Sequence, residues 1–285
     1  MPGPLLAVDA PSLLYRAFFA LPKSIKGADG RPVNALLGTA NLLLQAVERH
    51  APRAVILCFG AEAAAYRVEL FAPYHDDREV MPHELVPQWA DAPAFFAEFG
   101  WPSVSHETLE ADDLLGSLAL AETRAGGDTV IFSGDRDMFQ CVGAHCSVLF
   151  PGGKDGPELI DVAGVIERYG IEPAQVPDFI ALRGDPSDGL PGAKGIGAKG
   201  AAKLLQAHGD LEGVIAAADQ QRPAIAAALT GQADQLRDFK HIATLQPVEV
   251  EVPPDAALDP ERAAAAARAR GINRLAERLL DANSG

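Results

Sequence analysis

With 285 residues, 48% of them hydrophobic and 22% charged, the chain is neither disordered nor fibrous, and its length suits about two domains with their own cores. Its 39 Asp and Glu against 24 Lys and Arg give a formal net charge of −15. Spread evenly, that charge would repel nucleic acid and anionic membranes; gathered at one place, it would bind cations.

Asp9 interrupts the apolar run Leu5-Leu6-Ala7-Val8 and no basic stretch precedes it, so no secretory signal is expected. Residues 5–9 read as a first strand, followed by helical periodicity over 12–20 and 35–50. A second strand at 54–59 ends in Cys58-Phe59-Gly60. A helix over 91–99, a strand at 102–105, a helix over 110–125 and strands at 129–133 and 147–150 continue the alternation. Strands separated by helices of this length predict an α/β fold with a central, mostly parallel sheet. In such sheets ligands sit at the carboxyl ends of the strands.

After residue 150 the texture changes. Pro151-Gly152-Gly153-Lys154-Asp155-Gly156-Pro157 is rich in turn residues, and everything from there to 247 reads as helical. A short β run from Val248 and an alanine-rich helix over 260–270 come next. The expected division is 1–155, 156–247 and 248–285, the last supplying a strand and helices that pack back on the first. Three cysteines (Cys58, Cys141, Cys146), odd in number and without metal-site spacing, suit a reducing cytosol better than a disulfide framework. No run approaches the ~18 apolar residues of a membrane span.

The residues just past the strands are acidic. Asp9 ends the first; the third leads into Glu110-Ala111-Asp112-Asp113; the fourth leads into Ser133-Gly134-Asp135-Arg136-Asp137. Asp135 and Asp137 are spaced i, i+2, Glu110 and Asp113 i, i+3, and Asp185 and Asp188 form a further i, i+3 pair. A single Asp at a strand end is ordinarily a helix cap. Several carboxylates converging on one sheet edge repel one another unless a cation neutralises them. An all-oxygen donor set favours Mg²⁺ or Mn²⁺ over zinc, and two such ions about 4 Å apart stabilise the attacking and leaving oxygens of a phosphoryl displacement.

The glycine-rich stretch Lys194-Gly195-Ile196-Gly197-Ala198-Lys199 has no strand before it and no acidic residue at the ribose-binding distance after it, so it is not a dinucleotide loop. Taken as helix, tight turn, helix, it presents backbone N–H groups to an anion, with Lys194, Lys199 and Lys203 facing the same phosphate backbone.

In this combination and order the motifs resemble the bacterial 5′-3′ exonuclease and flap endonuclease family, found at the N-terminus of family A DNA polymerases and as standalone proteins. The resemblance runs from Leu6 to about Leu280. It rests on Asp9 with Tyr15-Arg16, Tyr66-Arg67 with Glu69, the acidic motifs at 110–113 and 133–137, Gly184-Asp185 with Ser187-Asp188 and Pro191-Gly192, and the glycine-rich turn.

It implies a PIN-like, Rossmann-type nuclease core with a helix-hairpin-helix region. It also implies a structure-selective nuclease that uses two divalent ions, Mg²⁺ or Mn²⁺, near 5′ single-strand/duplex junctions, leaving 5′-phosphate and 3′-OH ends. By position, Asp9, Glu110, Asp112 and Asp135 would lie nearest one ion. Asp137, Asp185 and Asp188 would serve the second, with Asp113 acting through water. Arg67 and Arg78 would hold the scissile phosphate, with Tyr15 and Arg16 near the cleavage site and Tyr15 placed to stack on a base. Lys194, Gly195, Gly197, Lys199 and Lys203 would grip duplex DNA, with K⁺ on the turn carbonyls. The resemblance further implies a monomer acting in DNA repair and replication in the bacterial cytoplasm, at the nucleoid and away from membranes, with a polymerase or ligase as partner. The competing readings are a DNA-structure-binding module without turnover and a PIN-type ribonuclease.

Three positions depart from the family pattern. Gly60 stands where the family has an Asp after the second strand, so one carboxylate of the cluster is missing; the first ion would bind more weakly or with an extra water, and the eight remaining carboxylates are expected to suffice for activity. His75 replaces a lysine on the catalytic side, an exchange that introduces a side chain titrating near neutral pH. Residues 62–84, basic in the family, carry Glu62, Glu69, Asp76, Asp77, Glu79 and Glu84 against Arg67 and Arg78. Since grip on a strand's phosphates needs cations along its path, the single-stranded flap is expected to be held weakly and the duplex to carry affinity.

Overall fold

The computed structural model describes residues 3–76, 78–153 and 156–281. Asp77, and the 155/156 boundary within the turn-rich stretch, lie outside or at the edge of the described residues. The elements in chain order are β1 (Leu5–Asp9), α1 (Ala10–Ala20), α2 (Asn34–His50), β2 (Ala54–Phe59), α3 (Ala65–Leu70), α4 (Val86–Ala97), β3 (Ser103–Ser105), α5 (Ala111–Arg124), β4 (Thr129–Phe132), β5 (Cys146–Gly153) and β6 (Gly156–Ile160). Helices α6 (Val162–Tyr169), α7 (Val176–Arg183), α8 (Ala198–His208), α9 (Leu211–Ala216), α10 (Pro223–Gly231), α11 (Ala233–Ala243), α12 (Pro260–Ala269) and α13 (Asn273–Asp281) complete the chain.

The strands form one sheet of order β3-β2-β1-β4-β5-β6, parallel except for the β5/β6 pair. Both faces are covered, which is why β1, β2 and β4 read as unbroken apolar runs rather than alternating ones. Successive side chains enter opposite cores. Leu5, Ala7, Ile56 and Ile131 join α5 and the helical half that includes α7, α8 and α11. Leu6, Val8, Val55, Leu57 and Phe132 join α1, α2, α4, α12 and α13.

Two expectations are corrected. Residues 156–160 are not helical: they turn back on β5 as the antiparallel edge strand β6. The run from Val248 is not a strand. Pro247, Pro253 and Pro254 remove ladder donors there, and the chain is held by isolated bonds instead, Ala256 N–H to the Arg53 carbonyl (2.9 Å) and Asp259 N–H to that of Phe99 (3.1 Å). Helix α4 starts at Val86, five residues earlier than its apolar spacing suggested, with Pro87 in its first turn where a missing N–H costs nothing.

Ion pairs fasten the returning tail. Arg53 holds Glu122 (2.6 Å) and Asp255 (3.0 Å), and Arg270 pairs with Asp91 while lying over the Phe95 ring. Among the described residues no helix is long and apolar enough to cross a membrane. The three cysteines are free, Cys58 and Cys146 buried and Cys141 half-buried.

Candidate active site

Chain direction across the sheet reverses beside β1, whose successors β2 and β3 lie on one side and β4 and β5 on the other. That opens a crevice at the carboxyl ends of β1 and β4. Asp9, the last residue of β1, caps α1 by accepting from Ser12 N–H (3.0 Å), and Ser133, just past β4, donates its hydroxyl to the other Asp9 oxygen. Ser133 Oγ also accepts from Asp135 N–H (2.9 Å), and Asp135 accepts from Asp137 N–H (2.8 Å). The loop after β4 is thus a chain of side-chain-to-backbone bonds that aims Asp135 and Asp137 into the crevice.

The third acidic group is fixed by the start of α5. Glu110 is its N-cap and forms a capping box with Asp113, which accepts from Glu110 N–H (3.2 Å). The Glu110 carboxylate also accepts from Ala64 N–H (2.8 Å) and from the Tyr74 hydroxyl (3.2 Å). Arg67, 3% exposed, ties this arrangement together: its guanidinium reaches Glu110 (2.8 Å), Asp113 (3.0 Å) and the Ile242 carbonyl (3.0 Å). Asp113, fully buried, further accepts from Gln246 N–H (2.8 Å). It therefore joins α5 to the segment leaving α11. The tyrosine and that segment are parts of the site that local spacing did not reveal.

Asp185 and Asp188 sit in a turn whose backbone closes on itself through paired bonds between Asp185 and Leu190 (2.8 Å each). Gly184 (φ 80°) and Gly192 (φ 67°) pack against each other there, leaving no room for a Cβ on either. Asp185 is held by Arg183 (2.8 Å) and Ser187 N–H (2.9 Å), while Asp188 faces His75 Nε2 (3.0 Å) and Arg78 (3.4 Å). His75 adopts a left-handed φ of 62°, stacks on Tyr74 and reaches the Glu62 carbonyl through Nδ1 (3.0 Å), so its ring is built into the site.

Glu110, Asp112, Asp135, Asp137 and Asp188 line one cavity of about 10 Å³ together with Arg67, Tyr74 and Arg78, room for a single water-sized centre. Among the described residues no three His, Cys, Asp or Glu side chains stand close enough to enclose an ion by themselves; the carboxylates surround a shared space. Burial, and then the charge of their neighbours, pushes Asp112 and Asp137 well above the usual carboxylate range and brings Asp135 up to about 7. Burial also raises Asp9, against the bonds from Ser133 and Ser12. Oxygen donors crowded until they resist ionisation are the chemistry a divalent cation relieves, so the residues fit such an ion.

These raised carboxyl groups make stability depend on pH. A carboxyl whose pKa is raised on folding binds its proton more tightly in the native state, so its contribution is present below the unfolded value and lost as pH rises through the folded one. Metal-free protein is expected to melt at a higher temperature near pH 5 than near pH 8, with the decline spanning the interval from about 4 to 7 set by Asp135. Addition of a divalent cation should restore the melting temperature at pH 8. Thermal melts with and without EDTA check this, and a curve unaffected by the cation would contradict it.

The missing carboxylate at Gly60 has a steric cause. An added Cβ would lie 2.4 Å from the Ala111 nitrogen and 2.5 Å from the Glu110 carbonyl carbon, both backbone atoms at the start of α5. Gly60→Asp would therefore not supply the missing ligand. The substitution should displace Glu110, lower stability by roughly 1–3 kcal/mol and reduce cleavage. A faster enzyme in a flap-cleavage assay would overturn this.

Away from the cavity, Gly197 caps α8 and Gly195 takes φ 83° in the preceding turn. Lys194, Lys199, Lys203, Gly195 and Gly197 are all exposed around the amino end of α8. Between β1 and the segment 78–82 runs a cleft of about 1100 Å³. Its lining includes Asp9, Asp112, Asp135 and Asp185, and also Tyr15, Phe19, Val80, Met81 and Trp89. Arg16 is exposed on α1 beside Tyr15.

Comparison with known proteins agrees with this architecture. Residues 4–170 match the model of the 5′-3′ exonuclease N-terminal resolvase-like domain, and residues 171–264 that of the 5′-3′ exonuclease C-terminal SAM fold. A 5′-3′ exonuclease of Mycobacterium tuberculosis is 34% identical over 99% of this chain and 98% of its own length. One from Streptomyces coelicolor is 38% identical over 76% of each. DNA polymerase I of Chloroflexus aurantiacus is 36% identical over 85% of this chain, which spans only 26% of that protein. Among solved structures, T5 5′-exonuclease with bound divalent metal ions (zinc) has a TM-score of 0.69 at 16% identity, covering 97% of this chain and 98% of that one. The catalytic core of Rad2 in complex with DNA substrate scores 0.64 at 14%, covering 98% and 92%. An acidic crevice on a PIN-like sheet, completed by a helical half with an exposed lysine hairpin, thus coincides with two adjoining family matches, and the chain belongs to the 5′-3′ exonuclease family.

Proposed function

We propose that the protein is a structure-selective 5′ nuclease that hydrolyses DNA phosphodiesters where a 5′ single strand meets duplex. One observation carries the reading: acidic groups from the segments after β3 and β4 and from the 184–192 turn open onto one cavity beside the switch point of the sheet, with Asp9 and Asp185 on the adjoining cleft. When bound there, two Mg²⁺ or Mn²⁺ ions would activate water and neutralise the charge developing on the phosphate.

Asp9, Glu110, Asp112 and Asp135 would hold one ion, and Asp137, Asp185 and Asp188 the other. Arg67 fixes Glu110 and Asp113 in place and, through Asp113, the segment after α11. Arg78, more exposed and at the cavity mouth, would contact the scissile phosphate; His75 orients Asp188 through the same carboxylate oxygen that Arg78 meets. Tyr15 and Arg16 would receive the nucleotide next to the cut. The α8 hairpin, with Lys194, Lys199 and Lys203, would hold duplex phosphates through backbone N–H groups and charge, with K⁺ at the turn. A monomer working in the bacterial cytoplasm beside a DNA polymerase or ligase would suit this activity.

A 5′-labelled flap substrate incubated with Mg²⁺, Mn²⁺ or EDTA tests the proposal. Cation-dependent incision near the junction is expected. Intact substrate in both metals, with duplex binding retained, would favour a binding module instead, and preferential cutting of RNA 5′ ends a ribonuclease.

A further inference from the structure

The cleft beside the carboxylates has two unlike ends. Its arginines cluster with the acidic groups: Arg78 meets Asp188, Arg183 meets Asp185, and Arg136 lies between Asp135 and Asp137 in sequence. The other end is apolar. Phe19 is 68% exposed and Val80 91% exposed, and Met81 and Trp89 complete the lining. Trp89, half-buried, is set edge-on to Tyr15 (6.0 Å between centroids) and Phe59 (5.9 Å), and exposed Phe19 edge-on to Phe18 (5.2 Å), so both rings are braced where they border the cleft.

The charge along this wall is also unusual for a strand-binding surface. Glu62 and Glu79 line it. Of the two arginines in residues 62–84, Arg67 is buried against Glu110 and Asp113, and Arg78 is turned toward Asp188 and the Glu62 carbonyl. That leaves Arg67 out of a strand's reach and Arg78 at the cavity mouth, committed to the scissile phosphate. An apolar floor under an acidic rim repels phosphates and accepts the neutral faces of unpaired bases.

Building on the proposed nuclease activity, we infer that the single 5′ strand is held in this cleft through its bases, which stack on Phe19 and Trp89 and pack against Val80 and Met81. The occupant is fixed by continuity: the apolar floor runs into the same cleft as Asp9, Asp112 and Asp135, so a strand entering the cavity crosses it.

The test compares three DNA ligands: a flapless duplex, the same duplex with a normal 5′ flap, and one whose flap keeps every phosphate but carries abasic sugars. Binding to the Asp135→Ala/Asp137→Ala protein is followed by anisotropy across a salt series, and the wild-type protein is assayed for cleavage of the same ligands. The normal flap is expected to bind about 5- to 100-fold more tightly than the abasic one, the range that stacking of a base supplies. Its salt dependence should be no steeper than that of the flapless duplex. In the Phe19→Ser/Val80→Ser protein, whose changed side chains are exposed, the gap between normal and abasic flaps should close. Equal affinity for normal and abasic flaps, or a steeper salt slope when a flap is added, would overturn the inference. Absence of cleavage of every ligand in Mg²⁺ and Mn²⁺ would instead count against the nuclease reading and leave the base-contact result to be judged on binding.

Discussion

The Asp135→Ala/Asp137→Ala protein is expected to keep its grip on flapped duplex DNA and to cleave it at least ~10³-fold more slowly than wild type. Loss of charge stabilisation by a bound cation costs several kcal/mol, and each 1.36 kcal/mol is a factor of ten in rate. The same substitution should not weaken the fold. Both carboxyl groups are held above their usual range by burial and by neighbouring carboxylates, which outweighs the one bond Asp135 accepts from Asp137 N–H, so metal-free protein should melt at the wild-type temperature or a few degrees higher at pH 8. Loss of activity together with equal or greater thermal stability would separate a functional cluster from a structural one. Near-wild-type cleavage would remove the cluster from the mechanism.

Replacement of Arg67 by alanine should do the opposite, injuring the fold and the site together. Arg67 is 3% exposed, and its guanidinium answers two carboxylates at the start of α5 and a carbonyl at the end of α11. Removing it leaves Glu110 and Asp113 buried without their cation, a defect of about 3–5 kcal/mol. For a chain of this size that corresponds to a fall on the order of 10 °C in melting temperature. Lysine should not rescue, because a single ammonium on a flexible stem cannot meet three acceptors in one plane. Urea and thermal melts of Arg67→Ala and Arg67→Lys check this; a melting temperature within about 2 °C of wild type for either would contradict it.

Much of the framework was legible in the sequence because parallel strands buried on both faces leave continuous apolar runs. β1 and β2 fall on residues 5–9 and 54–59 as their composition indicates. The acidic motifs were legible for a related reason: residues just past the end of a parallel strand lie at the ligand edge of the sheet. β6 was hidden by Gly156, Pro157 and Glu158, residues that suit an exposed edge and read locally as a turn. The run at Val248 carried strand-like residues but meets no free sheet edge, and propensity without a partner makes no ladder.

The site's finer logic was illegible for a different reason, since it depends on contacts between distant segments. Nothing near Gly60 in sequence announces the α5 backbone against it, and nothing near Arg67 announces that Asp113 and Ile242 enclose it. His75 shows the same limit. Its replacement of a family lysine pointed to the catalytic side, but only the left-handed backbone shows that it stands between Glu62 and Asp188.

The packing of α12 and α13 bears on how the chain reaches this state. Their residues Ala263, Ala267, Leu275 and Leu279 share a core with Leu6, Val8, Leu57 and Phe132, so one face of the central sheet is finished by side chains far along the chain. During synthesis β1, β2 and β4 would emerge and pair while that face was covered only by α1, α2 and α4, a period in which the uncovered part is open to misassociation. Contacts of such long sequence separation also slow the final closure. The break between the two family matches at 170/171 is accordingly not a boundary of packing, because α12 and α13, far beyond it, complete a core of the first segment.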